Sequence, residues 1–278
     1  MSFLVLLLAL LVEKFSALRQ RVQRDEPWLR ELARLERHRR IAAHPWLLLA
    51  LAVLVPLLAV WLVLWVVGSV AYGWLALPVH LLVLVYSFGR GTLPDALGPF
   101  RDACRRGDQE AAVLVAWRDL GVKADNGEQL MAGVQRYLLW QAFQGFFVVI
   151  FWYVLLGPAA ALGYRLLALA AERATSPLVV ERAAQLRHAL EWLPARFMAL
   201  SFALVGNFVA VTRAMLHDLL NWNLDNASFV TRAGCVASEV SAPLQGVDGA
   251  STLDVLWQLL VRAAIVWYAG IALWTLFA

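Results

Sequence analysis

Charge and cysteine are both scarce in this sequence, and each shortage narrows the class of protein. Only 16% of the 278 residues are charged, whereas 62% are hydrophobic. A soluble domain of this length does not carry so much apolar surface with so little charge. The two cysteines, Cys104 and Cys235, are too few and too far apart in sequence for a disulfide framework or a metal-spaced pair. We therefore expect two ordinary thiols and no metal site.

Motifs that would carry a reaction are also missing. The segment Ser-Phe-Gly-Arg-Gly at 87–91 has two glycines but lacks the Gly-Lys-Ser/Thr ending of a phosphate loop. No serine or cysteine nucleophile is placed beside any of the five histidines. The arginines are not interleaved with aromatic residues as on an RNA or DNA surface, so no nucleic-acid partner is predicted.

Long apolar runs dominate the sequence instead, and several approach the roughly 20 residues that cross a bilayer. We predict an all-α, polytopic helical membrane protein with about 4–6 membrane-inserted helices, amphipathic interfacial helices and a cytoplasmic helical loop. Residues 46–67 and 70–88 predict a transmembrane hairpin, in which a neighbouring helix satisfies the carbonyl freed by Pro56. The shorter run at 3–12 predicts a partly inserted helix.

A single domain, residues 1–278, is predicted, and its parts follow one another along the chain. They are a basic segment (13–44), the transmembrane hairpin (46–88), a helical loop (89–139), a central core (140–212), a polar loop (213–253) and a final transmembrane helix (254–277).

The basic segment sets the predicted orientation. It holds nine basic and five acidic residues, which accounts for the whole net charge of +4. The positive-inside rule places it in the cytoplasm, together with the loop at 89–139, because a hairpin returns to its starting side. The segment is either a surface for an anionic substrate or, as we favour, a topology determinant that contacts phospholipid headgroups.

Cap and turn residues predict several helix boundaries. Asp108 is expected to cap a helix that ends at Gly121. Asp125 and Glu128 have the spacing of a capping box, which predicts a helix leading into the apolar run at 140–156. Pro27, followed by Trp28, is expected to interrupt a helix in the basic segment.

The central core should contain a kink and an amphipathic helix. Gly157-Pro158 predicts the kink. Ser176-Pro177 predicts the start of a helix that lies on membrane or protein and ends at Pro194. The apolar face of that helix is predicted to contain Val179, Ala183, Leu186, Leu190 and Leu193. The next run, 197–211, contains Asn207 and predicts a tilted or partial span.

Two arginines near the edges of apolar segments are the sharpest candidates for a ligand site. Arg165 directly follows Tyr164, and Arg196 closes a Pro-Ala-Arg sequence. A guanidinium can form two parallel hydrogen bonds to a phosphate or a carboxylate. We therefore expect Tyr164, Arg165 and Arg196 to bind one anionic ligand. The alternative is that both arginines snorkel to the membrane interface as anchors.

Two carboxylates are weaker candidates for catalytic groups. For Glu13 there are three alternatives: it acts as a base, it pairs with one of these arginines, or it is a carboxylate at a helix end in contact with water. Glu191 is a site acid or the salt-bridge partner of Arg196 in the next turn. The residues alone thus predict a polytopic membrane protein with a candidate anion site, and they predict no reaction.

Several segments carry a resemblance to known membrane proteins. Leu-Gly-Pro-Ala-Ala-Ala-Leu-Gly-Tyr-Arg at 156–165 and Glu-Trp-Leu-Pro-Ala-Arg at 191–196 resemble the CobD/CbiB superfamily. Leu-Val-Glu-Lys-Phe at 11–15, Gly-Pro-Phe-Arg-Asp-Ala at 98–103 and Trp-Gln-Leu-Leu-Val-Arg at 257–262 are similar to its AmpE branch. The resemblance covers essentially the whole chain.

The CobD/CbiB part of the resemblance implies a synthase that joins an amino alcohol to a corrinoid carboxylate at an acidic Mg-ATP site. At the corresponding positions, which include most of that pattern's acids, this chain has other residues: Trp140, Gln141, Gln144, Ala168, Leu169, Ala170, Ala171, Arg187 and His188. These departures argue against cobinamide synthase activity. They leave Arg165 and Arg196 as the retained framework.

The AmpE part of the resemblance implies a multi-pass protein of the bacterial inner membrane that modulates β-lactamase induction and cell-wall-recycling signalling. We expect its cytoplasmic face to bind an anionic cell-wall-derived or nucleotide ligand. One alternative is a divergent membrane enzyme that forms amide bonds with ATP and Mg; otherwise the cofactor is open. Another is a non-catalytic structural partner of a second membrane protein or of another copy of the chain.

Overall fold

The computed structural model describes residues 5–8, 23–68, 76–89, 93–240 and 246–277. These residues contain helices and no strand, which confirms the predicted all-α class. From residue 23 onward the described helices are α1 Glu26–Arg37, α2 Arg39–Ala42, α3 Pro45–Gly68, α4 Ala76–Ser87, α5 Leu93–Arg105, α6 Gln109–Leu120, α7 Gly127–Ala142, α8 Val148–Leu156, α9 Pro158–Arg173, α10 Pro177–Val205, α11 Phe208–Met215, α12 Asn226–Ala237 and α13 Gly246–Phe277. A π-helical turn, Phe143–Phe147, joins α7 to α8.

The chain divides into two compact units. Unit 1 consists of Met1–Phe88, Val148–Glu191 and Trp274–Ala278, and unit 2 consists of Gly89–Phe147 and Trp192–Leu273. Both units are assembled from segments that are distant in sequence.

Within the described residues, three helical stretches are long and apolar enough to cross a membrane: Pro45–Gly68, Gly127–Leu156 and Ala250–Thr275. The first and third coincide with the predicted first span of the hairpin and the predicted final span, and their crossing of the membrane stays a prediction. The middle stretch confirms the helix predicted to run into residues 140–156. The described part of the predicted span at 70–88 is α4, a shorter apolar helix of 12 residues. The predicted helix at 3–12 lies largely outside the described residues.

The amphipathic helix predicted from residue 177 packs against protein in unit 1. Val179 and Ala183 of α10 are fully buried in a cluster with Leu32 of α1 and Leu48 of α3. Leu186 and Leu190 pack against a neighbouring cluster that includes residues of α9. Two of the five residues of the predicted apolar face are therefore buried in the core, Leu186 and Leu190 are half-buried against it, and Leu193 is exposed.

Two prolines inside helices each free a carbonyl that a tryptophan then satisfies. Pro56 has no N–H for the carbonyl of Ala52, and the indole N–H of Trp28 donates to that oxygen at 3.0 Å. This contact is the one predicted for Pro56. Pro194 likewise leaves the carbonyl of residue 190 without its helical donor.

The carbonyl of Leu190 accepts the indole N–H of Trp152 at 3.1 Å. The prediction that Pro194 ends the helix is therefore wrong, because α10 continues to Val205. A helix tolerates an internal proline where a neighbouring side chain satisfies the freed carbonyl.

Other boundaries differ from prediction by small amounts with clear causes. Asp108 accepts the N–H of Ala111 and caps α6, which ends at Gly121 as predicted. The cap of α7 is Asn126 rather than Asp125, because the Asn126 side chain accepts the N–H of Gln129. Pro27 lies in the first turn of α1, where a missing N–H costs nothing, so it helps start that helix instead of interrupting one.

Glycine breaks the central core at one position and allows a close approach at another. Gly157 has φ +83° and separates α8 from α9, so the predicted kink is a complete break. In unit 2 the N–H of Gly89 donates to the carbonyl of Gly145 in the π-helical turn at 2.8 Å. A Cβ on either residue would press against the other backbone. Gly89, in the glycine-containing segment at 87–91, therefore serves to pack two backbones closely together.

Polar residues of unit 2 connect its helices. Gln135, which is buried in α7, donates to Thr252 of α13 at 3.4 Å. Asp254 of α13 forms an ion pair with Arg101 of α5. The predicted partial span at 197–211 is not one helix, because α10 ends at Val205 and Asn207 caps α11.

Candidate anion site and buried charge cluster

Arg165 lies in α9 of unit 1 and is largely withdrawn from solvent, with 13% of its side chain exposed. Its Nη2 donates to Asp25 Oδ2 at 3.4 Å, and no other side-chain hydrogen bond of Arg165 occurs among the described residues. Its buried Nε has no acceptor there. Burial lowers the pKa of Arg165 from its ordinary value, against the nearby Glu172 carboxylate, which raises it.

The local sequence explains why Asp25 can reach this arginine. Asp25 stands at the N-cap position of α1, but its side chain makes no capping bond. Pro27 in the first turn removes one of the N–H groups that such a cap would satisfy. The Asp25 carboxylate is 1% exposed and lies beside the guanidinium of Arg165.

A second set of buried charges surrounds Glu191 of α10. Its Oε1 accepts the hydroxyl of Tyr164 and Nε of Arg187, both at 2.8 Å. Arg187 also bonds Glu172 through Nη1 at 3.2 Å. Although burial opposes the charge of Arg187, the adjacent Glu191 carboxylate raises the pKa of this arginine above its ordinary value. We call Asp25, Tyr164, Arg165, Glu172, Arg187 and Glu191 the unit 1 charge cluster.

Arg196 lies in unit 2 and is held by its own chain. Its guanidinium donates four hydrogen bonds of 2.8–3.1 Å, to the carbonyls of Trp192, Leu219 and Asn221 and to the side-chain oxygen of Asn226. The rings of Trp192 and Phe229 lie 4.4 and 4.6 Å from Cζ. Burial lowers the pKa of Arg196 to about 10, which still leaves the side chain charged at neutral pH. These four bonds use four of the five N–H groups of the guanidinium, and the fifth donates to no described residue.

The predicted site residues are thus placed as follows. Tyr164 and Arg165 belong to unit 1, Arg196 belongs to unit 2, and Glu13 lies outside the described residues. The predicted pairing of Glu191 with Arg196 is wrong, since the ion-pair partner of Glu191 is Arg187. Residues four apart lie on one helix face, whereas residues five apart do not.

Three residues of the charge cluster, Asp25, Glu172 and Arg187, were not among the predicted site residues. The four-residue spacing of Arg187 and Glu191 is visible in the sequence and is a usable signal. Asp25 is 140 residues from Arg165, and no local pattern marks that pair. Within the described ranges, no three His, Cys, Asp or Glu side chains are grouped to hold a metal ion.

Apolar helices long enough to span a bilayer, together with charged side chains paired inside the protein, define the class: this is an all-α integral membrane protein. A family model described as regulatory signalling modulator protein AmpE matches residues 1–269. The chain therefore belongs to the AmpE family. Comparisons with curated proteins and with solved structures found no match.

Proposed function

We propose that this protein is a multi-pass regulator in the bacterial inner membrane that modulates β-lactamase induction and cell-wall-recycling signalling. The family match over residues 1–269 and the three candidate spans support this proposal. The regulatory role comes from the family description, and the link to β-lactamase comes from what the sequence resemblance implies.

The proposed ligand is an anionic cell-wall-derived molecule or a nucleotide, and Arg165 is its main contact. The incomplete bonding of Arg165 carries this part of the proposal. Its one described hydrogen bond, to Asp25, is long at 3.4 Å, and its buried Nε has no acceptor. A buried guanidinium with an unsatisfied donor gains free energy when a phosphate or carboxylate completes its bonding.

Asp25 acts in this proposal as an internal substitute for the ligand. The unit 1 charge cluster holds three carboxylates and two guanidinium groups, so another anion would meet net repulsion while Asp25 stays in place. The incoming anion would therefore displace the Asp25 carboxylate from Arg165. Because Asp25 directly precedes α1, displacement would release one tether of the basic segment from α9 and thus report binding.

Tyr164 has a positioning role in this mechanism, and Arg196 of unit 2 is a separate ligand-binding candidate. The Tyr164 hydroxyl is bonded to Glu191 and keeps the cluster ordered beside Arg165. Arg196 holds the carbonyls of residues 219 and 221 and keeps one N–H for a ligand. We retain both as ligand-binding candidates, with Arg165 first.

The test combines complementation of a deletion strain with ligand binding. β-lactamase activity after β-lactam exposure would be measured with wild type, Arg165→Ala, Asp25→Asn and Arg173→Ala. Arg173 is an exposed arginine of α9 and serves as the matched control. We expect Arg165→Ala to lose the response to the regulator, Arg173→Ala to keep it, and Asp25→Asn to respond at lower inducer concentrations.

Binding is measured on the purified full chain in detergent, with UDP-N-acetylmuramyl pentapeptide, a muramyl tripeptide and ATP as probes. We expect Arg165→Ala to weaken binding of at least one probe by about tenfold or more. Asp25→Asn should tighten it. Unchanged affinity for all probes in both variants would remove the Arg165 site from the proposal.

The same preparation tests the two alternatives. ATP turnover that is lost in Glu13→Gln or Arg196→Ala would favour the divergent amide-forming enzyme. A subunit that co-purifies in stoichiometric amount, with no probe bound, would favour the structural partner.

A further inference from the structure

Arg262 is a charged residue inside a candidate membrane span. It lies in α13, within Ala250–Thr275, and its side chain is exposed. It forms no hydrogen bond or ion pair with any part of the chain that the structure describes. The next 15 residues, 263–277, contain no charged residue. A charge beside such an apolar run is costly unless it finds a partner or reaches the headgroup region.

The side chain of Arg262 lines a cleft in unit 2 of about 600 Å³. The polar residues of its lining come from the α10–α11 turn, the end of α12 and α13: Asn207, Ser238, Glu239, Gln258 and Arg262. We call this cavity the Arg262 cleft. Its volume is in the range of small-molecule sites.

The carboxylate in the cleft is held by an unusual backbone. Glu239 has φ +58° and is the one non-glycine residue with positive φ among the described residues. Its Oε1 accepts Nδ2 of Asn207 at 2.7 Å, and the Asn207 N–H donates to the carbonyl of Ala237 at 3.0 Å. This left-handed conformation belongs to the C-terminal cap of α12, because the N–H groups of Glu239 and Val240 donate to the carbonyls of Val236 and Cys235.

The Arg262 cleft therefore presents a cation and an anion, and among the described residues Arg262 forms no ion pair with Glu239. We propose that it binds the headgroup of a zwitterionic phospholipid with a primary ammonium, such as phosphatidylethanolamine. The guanidinium of Arg262 takes the phosphate, which it can bond in a fork. The carboxylate of Glu239 takes the ammonium.

The two opposite charges of the cleft select this ligand. Glu239 repels a headgroup with net negative charge, and a quaternary ammonium has no N–H to donate to the carboxylate. The acyl chains lie along exposed apolar residues of α13, Val261 and Ile265, which flank the arginine. The Arg262 cleft is independent of the Arg165 site and of the proposed signalling role.

The test is a native mass spectrometry titration of the delipidated full chain with phosphatidylethanolamine, phosphatidylcholine and phosphatidylglycerol of equal chain length. We expect wild type to bind the first at least about fivefold more tightly than the others. Arg262→Gln should weaken that binding about tenfold or more. Glu239→Gln should remove the preference over phosphatidylglycerol, while its amide oxygen still accepts from Asn207. Arg213→Gln, at an exposed arginine of α11 outside the lining, should change nothing.

Three results would overturn the proposal. Unchanged phosphatidylethanolamine binding in Arg262→Gln would remove the phosphate contact. If Arg262→Gln weakened the binding of all three lipids equally, Arg262 would be a non-selective anchor. Displacement of the lipid by an equal concentration of soluble phosphoethanolamine would make the cleft a site for a soluble ligand. If Arg262→Gln fails to fold, Arg262→Lys keeps the charge without the fork, and unchanged binding in that folded variant would also contradict the proposal.

Discussion

At the scale of single residues, buried charge governs unit 1. Arg187 connects Glu191 and Glu172, and Tyr164 adds a hydroxyl donor to Glu191. Taking these ions out of water is costly, and their mutual bonds offset that cost only while every partner is present. The cluster is thus sensitive to removal of Arg187 or Glu191, whereas Glu172, which is exposed, remains in contact with water.

Replacing Arg187 by methionine should destabilise the protein by about 3–5 kcal/mol, because it leaves the Glu191 carboxylate buried without its arginine. Thermal unfolding in detergent micelles measures the loss. The double variant Arg187→Met/Glu191→Gln is the control and should lose much less than the single variant. Equal losses in the two variants would show that the ion pair is not the cause.

The thiol of Cys235 should react slowly in the folded protein. Burial raises its pKa to about 11, so at pH 7 the thiolate is on the order of one part in ten thousand. Reactivity should therefore keep rising about tenfold per pH unit up to pH 11, whereas the unfolded chain levels off near the ordinary thiol pKa of about 8.5. Maleimide labelling against pH, on a Cys104→Ala background, measures this. A plateau near pH 9 in folded protein would contradict it.

At the scale of helices, tryptophans stabilise two proline-containing helices. Trp28 bonds the carbonyl freed by Pro56 in α3, and Trp152 bonds the one freed near Pro194 in α10. Each helix thereby continues through a residue that lacks the N–H a regular turn requires. Helix continuity here depends on a contact from another helix.

A double-mutant cycle tests this for α10. Trp152→Phe should cost about 1–2 kcal/mol, because the carbonyl of residue 190 loses its donor. In a Pro194→Ala background the new backbone N–H satisfies that carbonyl, and the same change should cost less than about 0.5 kcal/mol. Unfolding in detergent gives both values. The same loss in both backgrounds would mean that the indole N–H has no special role at this carbonyl.

Sequence rules worked for these helices where the signal was local. Asp108 and Gly121 delimit α6 as predicted, since a side-chain cap and a C-terminal glycine act within one turn. The end of α10 was missed at Pro194, because the compensating tryptophan is 38 residues away from the freed carbonyl. The candidate site shows the same division: Tyr164 and Arg165 were marked by local sequence, and Asp25 was not.

At the scale of the whole molecule, the exposed apolar surface is suited to a lipid bilayer. The large side chains exposed on α3 are almost all apolar, and they include Leu54, Leu58, Trp61 and Trp65. In water such a patch would promote aggregation, whereas in lipid it is a favourable surface. This fits a spanning helix that packs on protein along one side only.

Cysteine labelling tests the predicted orientation. The charge pattern places residues 13–44 and 89–139 in the cytoplasm. On a Cys104→Ala/Cys235→Ala background, Arg39→Cys and Gln109→Cys introduce exposed thiols in those two regions. In spheroplasts both should resist a membrane-impermeant maleimide, and both should react after permeabilisation. Labelling of either one before permeabilisation would refute the predicted topology.

The sequence by itself determined that this is a helical membrane protein, where most long helices lie, and that arginines at the edges of apolar segments are candidates for ligand binding. Those properties follow from composition and from patterns within a few turns, whereas membership of the AmpE family follows from the match over residues 1–269. Only the tertiary structure decided which distant charges meet: Asp25 with Arg165, Arg187 with Glu172, and Arg196 with the carbonyls of residues 219 and 221. Contacts between distant segments depend on how helices pack, and no local spacing encodes them.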